Sequence, residues 1–494
     1  MNCRVPQSCY IGKLPTEILS NIFLLAAHGT PSDLAESLPS VTMMPHVLAT
    51  VNLHWRTVAL CNHNLWSSLV IDLQKVICNQ SGDGLTPLTT MITRSGQSSM
   101  DIIIRAQQGP TSGTEEMIKK DFTKTMSRYA DCMPLIFNLL FHEMYRWRSL
   151  EIISDTWMPI HSALQVLNER RMEGPGALRL ESIRLKRTND YLSRFWLFCP
   201  RIMKMVEGTV FGALIGAASQ DISAQSPPLP KLRNIALYGV HLNWANFLHH
   251  TLGATPSLSS PVSHCIQSLE LSHHSGEVRP TSDEFSAILE ACPRLQNLVL
   301  RRSGPQGGFS RQVSLPLLQQ LYYGYFSFGD DVGTFNGFHA PNLIKLSLEG
   351  QNLSGTTYYS PTQDDGEDDK ADSILKHCAS HLPFPKLQEL SLYNVNAPVK
   401  TFTLFIATIP MLSHLVLHRT SNALPALLPI PKSLAGGAGM PCPALKSIQI
   451  FPESQKNKLI VTLKERSTRA SRISEWRYEE MLEGTIFTLE DGEA

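Results

Sequence analysis

The chain has 494 residues, 43% hydrophobic and 17% charged, with 43 Lys plus Arg against 43 Asp plus Glu. That composition provides for a large buried core and excludes a disordered chain, and zero formal net charge gives neither nucleic acid nor an acidic membrane surface a claim as default partner. None of the ten cysteines forms a C-x-x-C pair, which argues against a disulfide framework or a zinc ribbon.

No apolar run reaches the roughly 18 residues of a bilayer span, and "MNCRVPQSCYIGKL" lacks the basic start and continuous apolar stretch of a signal peptide. The expectation is an intracellular chain, cytoplasmic or nuclear, with reduced thiols. The Asn-x-Ser matches at Asn79 and Asn352 then carry no sugar.

"KLPTEILSNIFLLAA" (13–27) predicts a helix. Pro15 suits a first turn, Glu17 complements the positive end of the dipole, and Leu14, Ile18, Leu19, Ile22 and Phe23 recur at helical spacing. After Gly29, Pro31, Pro39 and Pro45 break the chain, Val47, Leu48, Val51, Trp55, Val58 and Ala59 form a second stripe. Two or three short helices in about sixty residues cannot hide all this apolar surface, so a docking face is expected.

L-P-x-E-I-L-x-x-I-F at 14–23, V-x-x-x-W-R at 51–56 and L-W-x-x-L at 65–69 stand in the order of an F-box, which this segment resembles. The loop before Val51 is longer than in a minimal F-box, and Asn52-Leu53-His54 replaces the usual stretch before the tryptophan. The resemblance implies docking on the Skp1 adaptor through Leu14, Pro15, Ile18, Leu19, Ile22, Phe23, Val51, Trp55 and Trp66. A competing reading makes the 13–27 helix a terminal cap packed on its own chain.

The rest of the chain repeats a Pro-x-L-x-x-L-x-L phrase or a near variant. Its first apolar positions are Leu232, Ile266, Leu295, Leu318, Leu343, Leu387, Leu412 and Leu445, in steps of 34, 29, 23, 25, 44, 25 and 33. These lie mostly near the roughly 20–29 residues of a leucine-rich repeat. Period two sends Leu298 and Leu300, or Leu390 and Leu392, to one side of a short strand. "SDEFSAILEACP" and "VKTFTLFIATIP" read as the helices between strands. Weaker copies are Trp66/Leu69/Ile71, Trp147/Leu150/Ile152, Leu180/Ile183/Leu185 and Ile202/Met205. Segment 76–146 fits poorly, with a strand at "SMDIIIRA" and a helical run from Met117.

C-P-x-L-x-x-L-x-L at 292–300 and 442–450 is similar to the repeat of F-box proteins with leucine-rich repeats, and the likeness spans most of 66–452. The fold expected is α/β, with an N-terminal helical F-box followed by an irregular leucine-rich-repeat solenoid carrying a parallel sheet on its concave face. The boundaries are a tail at 1–12, the F-box at 13–70, a divergent start at 71–146, the solenoid at 147–452 with an acidic insertion at 361–372, and a cap and tail at 453–494, starting with a helix. Cys199, Cys292 and Cys442 each precede a proline at a helix-to-strand corner, where a small buried thiol fits.

No G-x-S-x-G elbow, P-loop, dinucleotide-binding glycine pattern or H-E-x-x-H is present. His377 and His381, beside Cys378, have a spacing that zinc could use but lack a second ligand pair. His249-His250 and His273-His274 read as loop histidines. "PTQDDGEDDKAD" (361–372) lacks the EF-hand pattern and reads as a solvated insertion, or as a selector of basic substrate segments. Tyr322, Tyr323, Tyr325, Phe326, Phe328 and Tyr393 are candidate substrate anchors or core.

What the resemblance implies is a non-catalytic substrate receptor of a ubiquitin ligase, joined through Skp1 to cullin-1 and a RING subunit, holding an unidentified protein substrate and needing no cofactor, metal, nucleic acid or membrane. The alternative is a leucine-rich interaction scaffold not assembled with a cullin.

Overall fold

The structure is a computed structural model that describes residues 11, 14–27, 44–78, 85–108, 115–169, 176–188, 197–204, 206–216, 227–253, 265–309, 311–325, 334, 337–350, 367–381, 384–428, 441–451 and 475–478. The chain divides into two compact units, residues 1–189 with 206–232, and residues 190–205 with 233–494. The N-terminal helices share the first unit with the strands that follow them.

In the first unit, helix Thr16–Ala27 buries Leu19, Phe23 and Ala27, a stripe spaced by four residues. A helical stretch at 44–50 leads to helix Leu53–Cys61, where Asn52 caps by accepting the Trp55 N–H at 2.8 Å. A 3-10 turn, His63–Trp66, then delivers the chain directly into strand β1, Ser68–Asp72. The Trp66 indole donates to the Ala59 carbonyl at 2.8 Å, and the Arg94 guanidinium lies 4.5 Å from its ring centroid. The helices are thus anchored in the same core as β1.

Strands β2 (Met100–Ala106), β3 (Trp147–Ser154) and β4 (Ser182–Arg187) extend β1 in parallel and in chain order. Burial alternates along each, as period two requires when one face packs on helices. The poorly fitting segment therefore contributes β2 and a long helix, Glu115–Phe141. Between Met100 and Asp101 the register slips by one residue, and the extra residue on β3, Arg148, turns to Asp101 at 3.0 Å. Arg146, only 1% exposed, donates to Glu143, Ser95, and the Ser98 and Ile92 carbonyls. Those acceptors keep a buried guanidinium tolerable.

The second unit carries β5 (Asn234–Tyr238), β6 (Ser268–Ser272), β7 (Asn297–Arg301), β9 (Gln320–Gly324), β11 (Lys345–Glu349), β12 (Glu389–Tyr393), β13 (His414–His418), β14 (Ser447–Phe451) and β15 (Glu475–Tyr478). All are parallel, each beside its predecessor in this series. A separate two-residue pair joins β8 (Val313–Ser314) to β10 (Phe338–His339). Every one of the eight repeat phrases supplies a strand, and its second and fourth strand positions form the core, as Leu298 and Leu300 do in β7. Helices Ser282–Glu290 and Val399–Ala407 occupy the expected inter-strand stretches. The first is closed by a reciprocal cap between Thr281 and Glu284.

The strands end in a shared turn. Gly239, His273, Arg302, Asn394 and Arg419 take φ between 51° and 59°, and each directs its N–H to the carbonyl ending the next strand, as from His273 to Arg301 at 2.8 Å. Below the turn, the Ser303 and Thr420 hydroxyls accept the His274 and Val395 N–H groups of the preceding repeat. His274, expected in a loop, is core: its ring contacts the Ser303 hydroxyl at 2.9 Å and the Val240 carbonyl at 3.0 Å.

Two further expectations change. Ile202 does not start a strand; it lies in the 3-10 turn Arg201–Met203, 98% exposed. Cys199 is exposed and leads into the 3-10 turn Arg201–Met203, whereas Cys292 and Cys442 are buried just before the strands of their repeats. The tail helix expected from residue 453 lies outside the described residues, and what is described there, β15, adds a strand to the sheet.

Candidate functional site

Two surfaces emerge, one in each unit. On the N-terminal helices the nine residues read as adaptor contacts separate by face. Leu19, Phe23 and Trp66 have no exposed surface: Phe23 packs on Trp55 with ring centroids 4.9 Å apart, and Trp66 meets His46 at 5.0 Å. Those three hold the module together and are corrected from contacts to supports. Leu14 and Trp55 are half-buried. Pro15, Ile18, Ile22 and Val51 are exposed.

Sequence reasoning missed Leu25, Val47 and Leu53 as outward-facing, although Leu25 and Leu53 are each 78% exposed. Their signal was available: Leu25 follows Ile18 and Ile22 at spacings of four and three. The twelve-residue helix thus carries an interior stripe, Leu19, Phe23 and Ala27, and a second, exposed apolar stripe, Ile18, Ile22 and Leu25.

On the second unit's sheet, first, third and fifth strand positions face away from the core. The fifth positions of β12, β13 and β14 are Tyr393, His418 and Phe451, with ring centroids 6.0 and 5.8 Å apart. Tyr322, at the third position of β9, reaches across β11 to Tyr393, 6.3 Å away with planes 27° apart. Ser347 and Ser391 share that face yet are only 6% exposed, so the larger side chains close over them. The result is an aromatic ladder spanning β9 to β14.

Its polar end is a network. The Tyr322 hydroxyl donates to Glu349 at 2.6 Å and accepts from Arg301 at 2.7 Å, while the Arg301 guanidinium lies 3.0 Å from the same carboxylate and 4.6 Å from the tyrosine centroid. Gly324 at the fifth position of β9 leaves the space between them; an added methyl there would meet the Glu349 carboxylate at 3.4 Å. Burial raises the Tyr322 hydroxyl above the usual tyrosine range, and Glu349 adds to it, so this hydroxyl stays protonated at neutral pH. Burial, followed by Arg419, lowers His418, which is therefore a neutral ring in the ladder.

Among the candidate substrate anchors, Tyr323 and Tyr325 are corrected to core, at 1% and 4% exposure. Tyr323 occupies the fourth, inward position of its strand, which period two assigns to the interior. Tyr393 stays on the ladder, and Phe326 and Phe328 lie outside the described residues. Residues 361–366 of the acidic stretch do too, but Asp372 begins a tie to the solenoid: it accepts from Thr401 and Lys376. Burial opposes its charge, and those bonds outweigh burial and hold the carboxyl below its usual range.

Cys378 is fully buried, its thiol pushed up to about 12 by burial, a state that disfavours the thiolate a metal needs. The side chain of His381 lies outside the described residues. Among the described residues no group of three or more His, Cys, Asp or Glu is placed to share a metal ion, and no helix is long and apolar enough to cross a membrane.

No family model matches this chain, and no curated protein does. Solved structures do match; one is the crystal structure of a TLR13–ssRNA13 complex, at 16% identity and a TM-score of 0.23, over 62% of this chain and 42% of the other. The chain thus spans less than half the length of that structure, and a likeness at this score carries no argument. The repeat assignment rests on the chain's own parallel strands and their shared turn.

Proposed function

We propose that this chain is the substrate-holding subunit of a Skp1–cullin–F-box ubiquitin ligase, its N-terminal helices docking on Skp1 and its repeat sheet holding a protein for ubiquitination. The observation that carries the reading is the exposed apolar set Ile18, Ile22, Leu25, Val47, Val51 and Leu53 on helices whose opposite face is already packed. Exposed apolar side chains at this density mark a surface that a partner covers. The chain itself performs no covalent step in this reading. Its contribution is proximity: a bound substrate lysine is held near a charged ubiquitin carrier at high effective concentration.

The runner-up is an interaction scaffold without a cullin, favoured by the way Trp66 and the 3-10 turn tie the helices to β1, which suits an end cap. The two readings part on Leu25. Purified chain is tested for capture of Skp1 with cullin-1, beside Leu25→Asp and Ile22→Asp. A receptor loses capture at least tenfold in variants whose circular dichroism and melting are unchanged. Absence of capture by the wild type establishes the scaffold instead. Phe23→Asp would not separate them, because Phe23 has no exposed surface and its loss unfolds the module in either case.

A further inference from the structure

The chain enters β9, β11, β12 and β13 through one repeated phrase: Pro316-Leu317-Leu318, Pro341-Asn342-Leu343, Pro385-Lys386-Leu387 and Pro410-Met411-Leu412. The third residue of each is fully buried and the second turns outward. Successive repeats therefore set Leu317, Asn342, Lys386 and Met411 in a row. At the same position other repeats carry Lys231 and Arg294, ordinary exposed cations. Leu317 and Met411 depart from that pattern, at 47% and 53% exposure, and with Ile344 they form the apolar walls of a groove of about 310 Å³. That volume lies at the lower end of the roughly 300–1,000 Å³ of ligand pockets.

The groove is lined by a single charged side chain, Lys386. Its ammonium donates to the Asn342 side-chain oxygen at 2.6 Å, and the Asn342 amide donates to the Pro316 carbonyl at 2.7 Å. This relay runs across three repeats and fixes the lysine over the groove. One of the three ammonium donors is used by Asn342, leaving two for a ligand. The adjacent Glu389 does not neutralise it, being answered by Lys345 at 3.1 Å. An apolar trough under one held positive charge selects a bulky apolar side chain beside a carboxylate.

We propose that this groove is a docking site for a short acidic–apolar peptide segment of a partner protein, with Leu317, Ile344 and Met411 taking the apolar side chain and Lys386 the neighbouring carboxylate. It deepens the reading of the repeats as a protein-holding surface, and it lies at the opposite end of the strands from the aromatic ladder.

The test uses the full chain without any adaptor, so that its failure says nothing about Skp1 docking, which the capture experiment measures separately. Fluorescein-labelled Ac-Glu-Leu-Glu-Phe-Glu-amide and its counterpart Ac-Lys-Leu-Lys-Phe-Lys-amide are titrated by anisotropy. Expected is saturable binding of the acidic peptide, weakened by salt, with the basic peptide at least tenfold weaker. Lys386→Glu should reverse that preference, and Met411→Glu should abolish binding of the acidic peptide, both in chains with unchanged melting. Equal binding of the two peptides, binding of neither, or a preference that survives Lys386→Glu overturns the proposal.

Discussion

His274 carries a proton problem that its burial creates. It is enclosed between a Ser303 hydroxyl and the Val240 carbonyl, and burial, with Arg279 next in effect, lowers its pKa from 6.5 to about 3. Its neighbour His241 is lowered to about 4 by burial and then by Lys204. Both rings are neutral when folded, while the unfolded chain takes up their protons as pH falls below 6.5. Stability is therefore fully present above pH 6.5 and is lost on acidification toward pH 4 and 3, by up to ~1.4 kcal/mol per unit for each ring. Between pH 7 and 5 the second unit should lose roughly 2–4 kcal/mol in urea unfolding. His274→Gln should remove about half of that slope; a slope unchanged by the substitution would place the proton uptake elsewhere. The carboxylates held low, Glu277 and Asp372, start from 4.5 and 3.8 and so act in a more acidic window, leaving this one to the histidines.

At the scale of the element, the recurring device is the left-handed residue that closes each strand. Arg302, Asn394 and Arg419 occupy it with φ of 55°, 52° and 51° and pass one N–H to the next strand. An unbranched side chain tolerates this conformation at a cost of about 1–2 kcal/mol, and a branched one suffers more. Arg419→Val should lower the stability of the second unit by ~1–2 kcal/mol in urea, whereas Arg419→Gly should be neutral or stabilising, since glycine takes the conformation freely. The turn was invisible in sequence because Gly239, His273, Arg302, Asn394 and Arg419 share no chemistry; the bond they make is a backbone bond. The strands were legible for the opposite reason: burying Leu298 with Leu300, or Leu415 with Leu417, demands one residue type at period two. The N-terminal helix was legible only in part. Its two apolar stripes, Leu19 with Phe23 and Ile18 with Ile22 and Leu25, look alike in sequence, and only packing against Trp55 and the turn before β1 decides which one is left outside. The aromatic ladder was half seen for the same reason, since Tyr322 and Tyr323 differ in sequence by one step and in the sheet by a whole face.

Across the whole second unit, the cooperativity of a stack of repeats is set by what each strand shares with its two neighbours. β11 pairs only with β9 and β12, and Leu346 and Leu348 fill its inward positions with no exposed surface beyond 1%. Leu348→Ala removes buried methyl groups at a site whose neighbours are fixed by backbone bonds to both sides, so little collapse can fill the cavity, and the cost should be ~2–5 kcal/mol. In a chain stabilised by nearest-neighbour contacts that loss is felt locally before it is felt globally. Amide hydrogen exchange of the variant should therefore show protection falling first in β9, β11 and β12, while β5 and β6 keep theirs. A uniform fall along all the strands of the unit would mean that they unfold as one block, and that the interfaces between repeats are stronger than the repeats themselves.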